Sequence, residues 1–136
     1  IKGDVTFLRL FFTAIFTLTF GPVFEELLFR GYLFIRSQDV LQRKSLGFSR
    51  FNISYASIFS GVAWGFWHLP TPIILCYFND PIIETYGSLI GFVLTASITG
   101  IFLGEIRRKT KSLLPGMILH FAGNSAYVLE VAMKIL

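Results

Sequence analysis

The sequence predicts an all-α fold, a polytopic transmembrane helix bundle with four to five membrane helical segments. The composition, four long runs nearly free of charge, and the placement of the remaining charges predict it. Of 136 residues, 54% are hydrophobic, 17% aromatic and only 15% charged. A soluble domain carries about a quarter charged residues. Sixteen phenylalanines exceed what one soluble core of this length would bury. Such a chain is neither disordered nor an ordinary nucleic-acid-binding domain, and most soluble enzymes are excluded with them.

The helices follow from the charge-free runs. Leu10 to Phe24 and Thr85 to Gly104 hold no charge, Phe51 to Asn79 only His68, and Ser112 to Leu129 only His120. A membrane helix needs about 20 apolar residues. Helical regions are therefore expected near 5–36, 52–68, 84–106 and 112–135. Gly21-Pro22 is the natural break in the first, which is one kinked helix or two, because proline lacks a donor and clashes with the preceding turn. Gly61 and Gly65, Gly87 and Gly91, and Gly100 and Gly104 are four apart. Small residues at that spacing let helices approach closely in lipid. No repeat, low-complexity tract or secretory signal is present. Residues 1–136 form a single domain, read as the core of a longer protein because the chain starts at Ile1. The lone Cys76 has no internal disulfide partner.

The charges predict an orientation. Residues 36–50 carry Arg36, Arg43, Lys44 and Arg50 against Asp39, a net +3. Residues 105–111 carry Arg107, Arg108, Lys109 and Lys111 against Glu105, again +3. Between them, Leu69 to Glu84 has only Asp80 and Glu84, a net −2. That alternation places both basic loops on the cytoplasmic side of an integral, multi-pass membrane protein.

Six polar residues interrupt the apolar runs: Glu25, Glu26, Arg30, His68, His120 and Asn124. Ionisable groups at membrane depth are costly and face the bundle interior or a wet cavity. Measured from the basic ends at about 1.5 Å per residue, Glu25 lies roughly 16 Å deep, His120 roughly 12 Å, and His68 roughly 24 Å along its helix. A tilted helix would bring the three into one layer.

Glu26 and Arg30 are i and i+4 and pair on one face, first of all as a structural ion pair. Glu25 is turned about 100° from Glu26. His120 and Asn124, also i and i+4, present donors to one point. Amide hydrolysis needs a base for water and donors for the developing oxyanion, and this set supplies both.

Glu25-Glu26-Leu27-Leu28-Phe29-Arg30 resembles the EExxxR motif of the CPBP intramembrane proteases, a family that groups CAAX prenyl proteases with Abi-type and bacteriocin-processing proteins. Trp64-Gly65-Phe66-Trp67-His68 is similar to its FxxxH motif, with Trp64 in place of phenylalanine, and His120-Phe121-Ala122-Gly123-Asn124 to its HxxxN/D motif. The resemblance covers residues 20–130. It implies a helical membrane fold around a conical, partly aqueous cavity. It further implies that Glu25 and His68 activate water, that His120 and Asn124 form the oxyanion hole, and that Glu26 and Arg30 support the site.

The expected activity is endopeptidase hydrolysis of a membrane-associated, prenylated (CAAX-type) or leader-peptide substrate. The expected partners are that peptide, the lipid bilayer and a further membrane protein, with no nucleic acid. No cofactor is expected. The alternative is zinc held by Glu25, His68 and His120, although the HExxH pattern is absent. The competing function is a non-catalytic membrane partner or a bacteriocin self-immunity protein.

Overall fold

The computed structural model of the chain describes residues 14–41, 44–48, 51–70 and 89–135, together with residues 8, 11, 12 and 73. Cys76, Gly87 and the acidic residues Asp80 and Glu84 of the middle connection lie outside the described residues.

Helix α1 alternates between π and α windings: Phe16–Phe20 is π, Gly21–Glu25 α, Glu26–Leu33 π and Phe34–Val40 α. It is continuous through Gly21-Pro22, where Phe20 and Gly21 both keep right-handed helical angles. The preceding π turn absorbs the proline. The N–H of Gly21 reaches back five residues to the carbonyl of Phe16, and the buried Pro22 starts a fresh α turn in which its missing donor matters least.

The basic segment expected as a loop over 36–50 is largely structured. Its first residues complete α1, and a hairpin follows: β1 (Ser45–Phe48) pairs antiparallel with β2 (Phe51–Ser54), Ser45 opposite Ser54 and Phe48 opposite Phe51. The second helix accordingly starts at Tyr55 rather than near residue 52. Ser54 sets that start. It is extended, with φ −72° and ψ 142°, and its hydroxyl accepts from the Ser57 N–H at 3.0 Å. A two-stranded ribbon is marginal alone. Here Glu105 anchors it, accepting from the Ser54 N–H at 2.8 Å and the Ser57 hydroxyl at 2.7 Å. Arg108 donates to Glu105 at 2.7 Å and to the Asn52 carbonyl at 3.0 Å.

Helices α2 (Tyr55–Trp67) and α3 (Leu89–Thr110) pack on small residues. A Cβ on Gly61 would come within 2.4 Å of the Ile101 nitrogen, and one on Gly100 within 2.8 Å of the Gly61 Cα. Gly104 meets Ser57, and Gly65 meets Ser97. The glycine spacing in both helices thus serves close backbone approach.

A tight turn leads to α4 (Leu114–Ile135). Helix α4 lies antiparallel against α1. Leu113 sits beside Gly31, Gly116 beside Glu26, and Asn124 beside Thr17. At Gly116 a Cβ would lie 2.7 Å from Oε2 of Glu26.

The burial pattern is inverted relative to a soluble protein. Glu26, Arg30, Ser57, Ser60 and His120 are buried, while Phe16, Phe20, Phe24, Phe59, Phe66 and Ile98 are exposed. An apolar exterior around a polar interior suits lipid as solvent. Among the described residues, one helix, α3, is long and apolar enough to cross a membrane. Helix α2, with 13 residues, falls short of the usual length.

Two outcomes are expected from thermal unfolding in detergent. Gly100→Val overpacks the α2–α3 contact and lowers stability by about 1–3 kcal/mol. Gly116→Ala is destabilising, because the carboxylate it meets is itself buried, whereas Gly123→Ala, with nothing within 4 Å of its Cβ, is neutral or stabilising.

Candidate active site

The π-wound stretch of α1 that begins at Glu26 carries Arg30, with Glu25 immediately before it. Glu26 is 1% exposed and Arg30 0%. Burial of two charges requires that each be paired. Nη1 of Arg30 lies 3.0 Å from Oε1 of Glu26, Nη2 donates to the Gly100 carbonyl at 3.2 Å, and the guanidinium carbon sits 4.7 Å from the Trp64 ring centre. Charge rather than an aligned hydrogen bond holds the pair, since neither Glu26 oxygen has an aligned donor among the described residues. The expected structural pair is present, and it reaches α3 as well.

Glu25 faces α2 and α4. Its Oε2 accepts from the indole N–H of Trp64 at 2.6 Å and lies 3.6 Å from Nε2 of His68 and 3.8 Å from Nε2 of His120. Three nitrogens from two helices therefore converge on one carboxylate oxygen. The sequence placed a tryptophan where the resembling family has phenylalanine, and this departure adds a donor on the carboxylate. Indole can only donate, so it fixes the carboxylate without competing for a proton.

His68 stands at the C-terminal cap of α2, where Pro70 follows two residues on. Its Nδ1 is 2.8 Å from the Trp64 carbonyl. A carbonyl only accepts, so Nδ1 carries the proton and the lone pair of Nε2 points at Glu25. The 3.6 Å gap is too long for a direct hydrogen bond and suits two acceptors that share one water. His120 is held between the glutamates, with Nδ1 3.4 Å from Oε1 of Glu26. Its ring meets the Trp64 ring edge-on at 5.3 Å, and the His68 ring meets it at 4.5 Å. Trp64 is thus the common wall of both imidazoles.

Asn124 lies one turn beyond His120. Its amide donates to the Thr17 carbonyl at 2.8 Å. The reason is local to α1. In the π turn the Gly21 N–H goes to Phe16, and Pro22, next in line for Thr17, has no N–H. Thr17 is left with an orphan carbonyl that Asn124 satisfies. One amide hydrogen is so engaged and the second remains. A cavity of about 320 Å³ is lined by Trp64, His68, Leu103, His120 and Asn124.

Five of the six expected site residues, Glu25, Glu26, Arg30, His68 and His120, are therefore linked side chain to side chain, and Asn124 lines a cavity together with His68 and His120. Trp64, Gly100, Gly116 and Pro22 complete the arrangement. The sequence had marked Trp64 by its motif position, Gly100 by its glycine spacing and Pro22 as a helix break, whereas the one sign of Gly116 was its place one turn before His120. The zinc alternative falls on Oε2 of Glu25 and the two Nε2 atoms. Among the described residues, no group of three His, Cys, Asp or Glu side chains is arranged to hold a metal ion.

The chain is similar to known proteins over most of its length. The family described as type II CAAX prenyl endopeptidase Rce1-like matches residues 7–126. CAAX prenyl protease 2 of Methanococcus maripaludis is 32% identical over 127 residues, covering 90% of this chain and 42% of that protein. The chain thus spans less than half the length of this relative. No solved structure matches it. The family match takes in all three motifs whose side chains meet around Glu25, and the chain belongs to the Rce1-like family of type II CAAX prenyl endopeptidases.

Proposed function

We propose that this chain is the catalytic core of a multi-pass intramembrane endopeptidase that hydrolyses a peptide bond of a prenylated, CAAX-type substrate. The observation that carries the reading is the convergence of Trp64 Nε1, His68 Nε2 and His120 Nε2 on one oxygen of Glu25. The name of the Methanococcus maripaludis relative supports the substrate class. The family is membrane-embedded, and the apolar exterior suits that setting. Four helices in lipid with residues 36–50 and 105–111 on the cytoplasmic side would satisfy the positive-inside rule.

In this mechanism a water donates one hydrogen bond to Glu25 and one to Nε2 of His68. As its oxygen bonds to the substrate carbonyl carbon, its proton passes to Glu25. The carbonyl oxygen becomes an oxyanion, into which His120 and the free amide hydrogen of Asn124 donate. The C–N bond then breaks, and the proton held by Glu25 goes to the leaving amine. Glu26 and Arg30 position His120 and the helix that bears Glu25. The proposed chemistry uses no metal.

Glu25→Gln keeps the shape of the side chain and removes the base. In membranes supplied with prenylated peptides, with products read by mass spectrometry, cleavage is expected to fall at least about 100-fold. Wild-type cleavage is expected to persist with a chelator present. Loss of cleavage on chelation would move His68 and His120 to metal ligation, and full activity in Glu25→Gln would sink the mechanism. Trp64→Phe restores the family's residue and deletes the indole donor. Its kcat is expected to fall about tenfold with KM little changed, since the bond orients the base and touches no substrate.

A further inference from the structure

A separate space lies away from the histidines. A cavity of about 550 Å³ opens where the end of α1, the hairpin and the end of α3 meet. Ile35 on its wall is ten residues from Glu25, roughly 15 Å along the helix. Phe34 and Ile35 form an apolar side, Arg107, Arg108 and Lys111 a cationic side, and among the described residues no acidic side chain lines it.

The three cations differ in what they already hold. Arg108 is engaged by Glu105 and the Asn52 carbonyl. Arg107 and Lys111 have no side-chain acceptor among the described residues. Nε of Arg107 is closed off from solvent with no hydrogen-bond partner among them. A buried cationic donor without an acceptor is costly, and native proteins rarely leave one so. Lys111 adds a second anomaly. It closes α3 by donating its N–H to the Arg107 carbonyl at 2.9 Å, in the left-handed conformation with φ 56°. Glycine is the unstrained residue for that cap. The backbone therefore bears a small strain where an ammonium is placed at the cavity wall.

We propose that this cavity binds the phosphate of an anionic phospholipid headgroup between Arg107 and Lys111, with the adjoining hydrocarbon against Phe34 and Ile35. The split wall calls for an amphiphile. Its cations close α3, the helix long and apolar enough to cross a membrane, which sets them at headgroup depth. The site is independent of the catalytic residues and of the proteolytic function.

The test is thermal unfolding of the purified full chain in detergent, followed by tryptophan fluorescence, with added lipid. Phosphatidylglycerol is expected to raise the wild-type midpoint by about 5 °C near saturation, and phosphatidylcholine to leave it unchanged. Arg107→Gln/Lys111→Gly should lose most of that shift. Lys111→Gly alone, which removes one charge while relaxing the backbone, should fold at least as well as wild type and keep about half the shift. It provides the decision should the double variant fail to fold. Absence of a phosphatidylglycerol shift in wild type, or a full shift in Lys111→Gly, would overturn the proposal. An equal shift with inorganic phosphate would overturn the lipid assignment and make the cavity a soluble-anion site.

Discussion

A carboxylate and a guanidinium with almost no exposed surface stand at the centre of this molecule, and the packing of its helices follows from them. Separated, the Glu26–Arg30 pair would cost about 3–5 kcal/mol. Together they still leave donors and lone pairs to satisfy. Arg30 reaches the backbone of α3 at Gly100 and lies over Trp64 of α2. Glu26 lies against Gly116 and His120 of α4. One ion pair on α1 therefore touches every other helix. The glycines are as much a part of this as the charges. Gly100 exposes the carbonyl that Arg30 needs and lets α2 approach, and Gly116 leaves room for the carboxylate.

The backbone of α1 adds a second constraint. Its π windings place a proline within a continuous helix and release the Thr17 carbonyl. Asn124 meets that carbonyl. An irregularity in one helix thereby sets the register of another, and with it the position of His120 one turn earlier. π turns occur often at functional sites. Here the reason is visible: the irregular winding creates a bond that a regular α-helix would have used internally.

Much of this was legible in the residues. Among the described residues, the charge-free runs marked the second, third and fourth helices to within about five positions, and of the six polar exceptions in an apolar chain His68, His120 and Asn124 line the cavity while Glu25, Glu26 and Arg30 join the histidines from α1. The hairpin was not legible. Residues 45–54 hold too few residues for a period to show, and the ribbon depends on Glu105 and Arg108, some fifty positions away. The continuity of α1 at Gly21-Pro22 was equally hidden, because proline usually ends or kinks a helix and only the π turn before it shows otherwise.

The sequence by itself determined which side chains must be gathered inside. The cost of burying a charge or amide in lipid or apolar protein depends on residue type and surroundings, and both are written in composition and spacing. Tertiary structure alone decided which atom faces which. Trp64 became a donor to Glu25 rather than a plain aromatic wall. Glu25 rather than Glu26 took the oxygen shared by the two histidines, and Arg107 and Lys111 were left facing an open cavity. Those outcomes depend on distances of 3–4 Å between residues dozens of positions apart, and no local pattern encodes them.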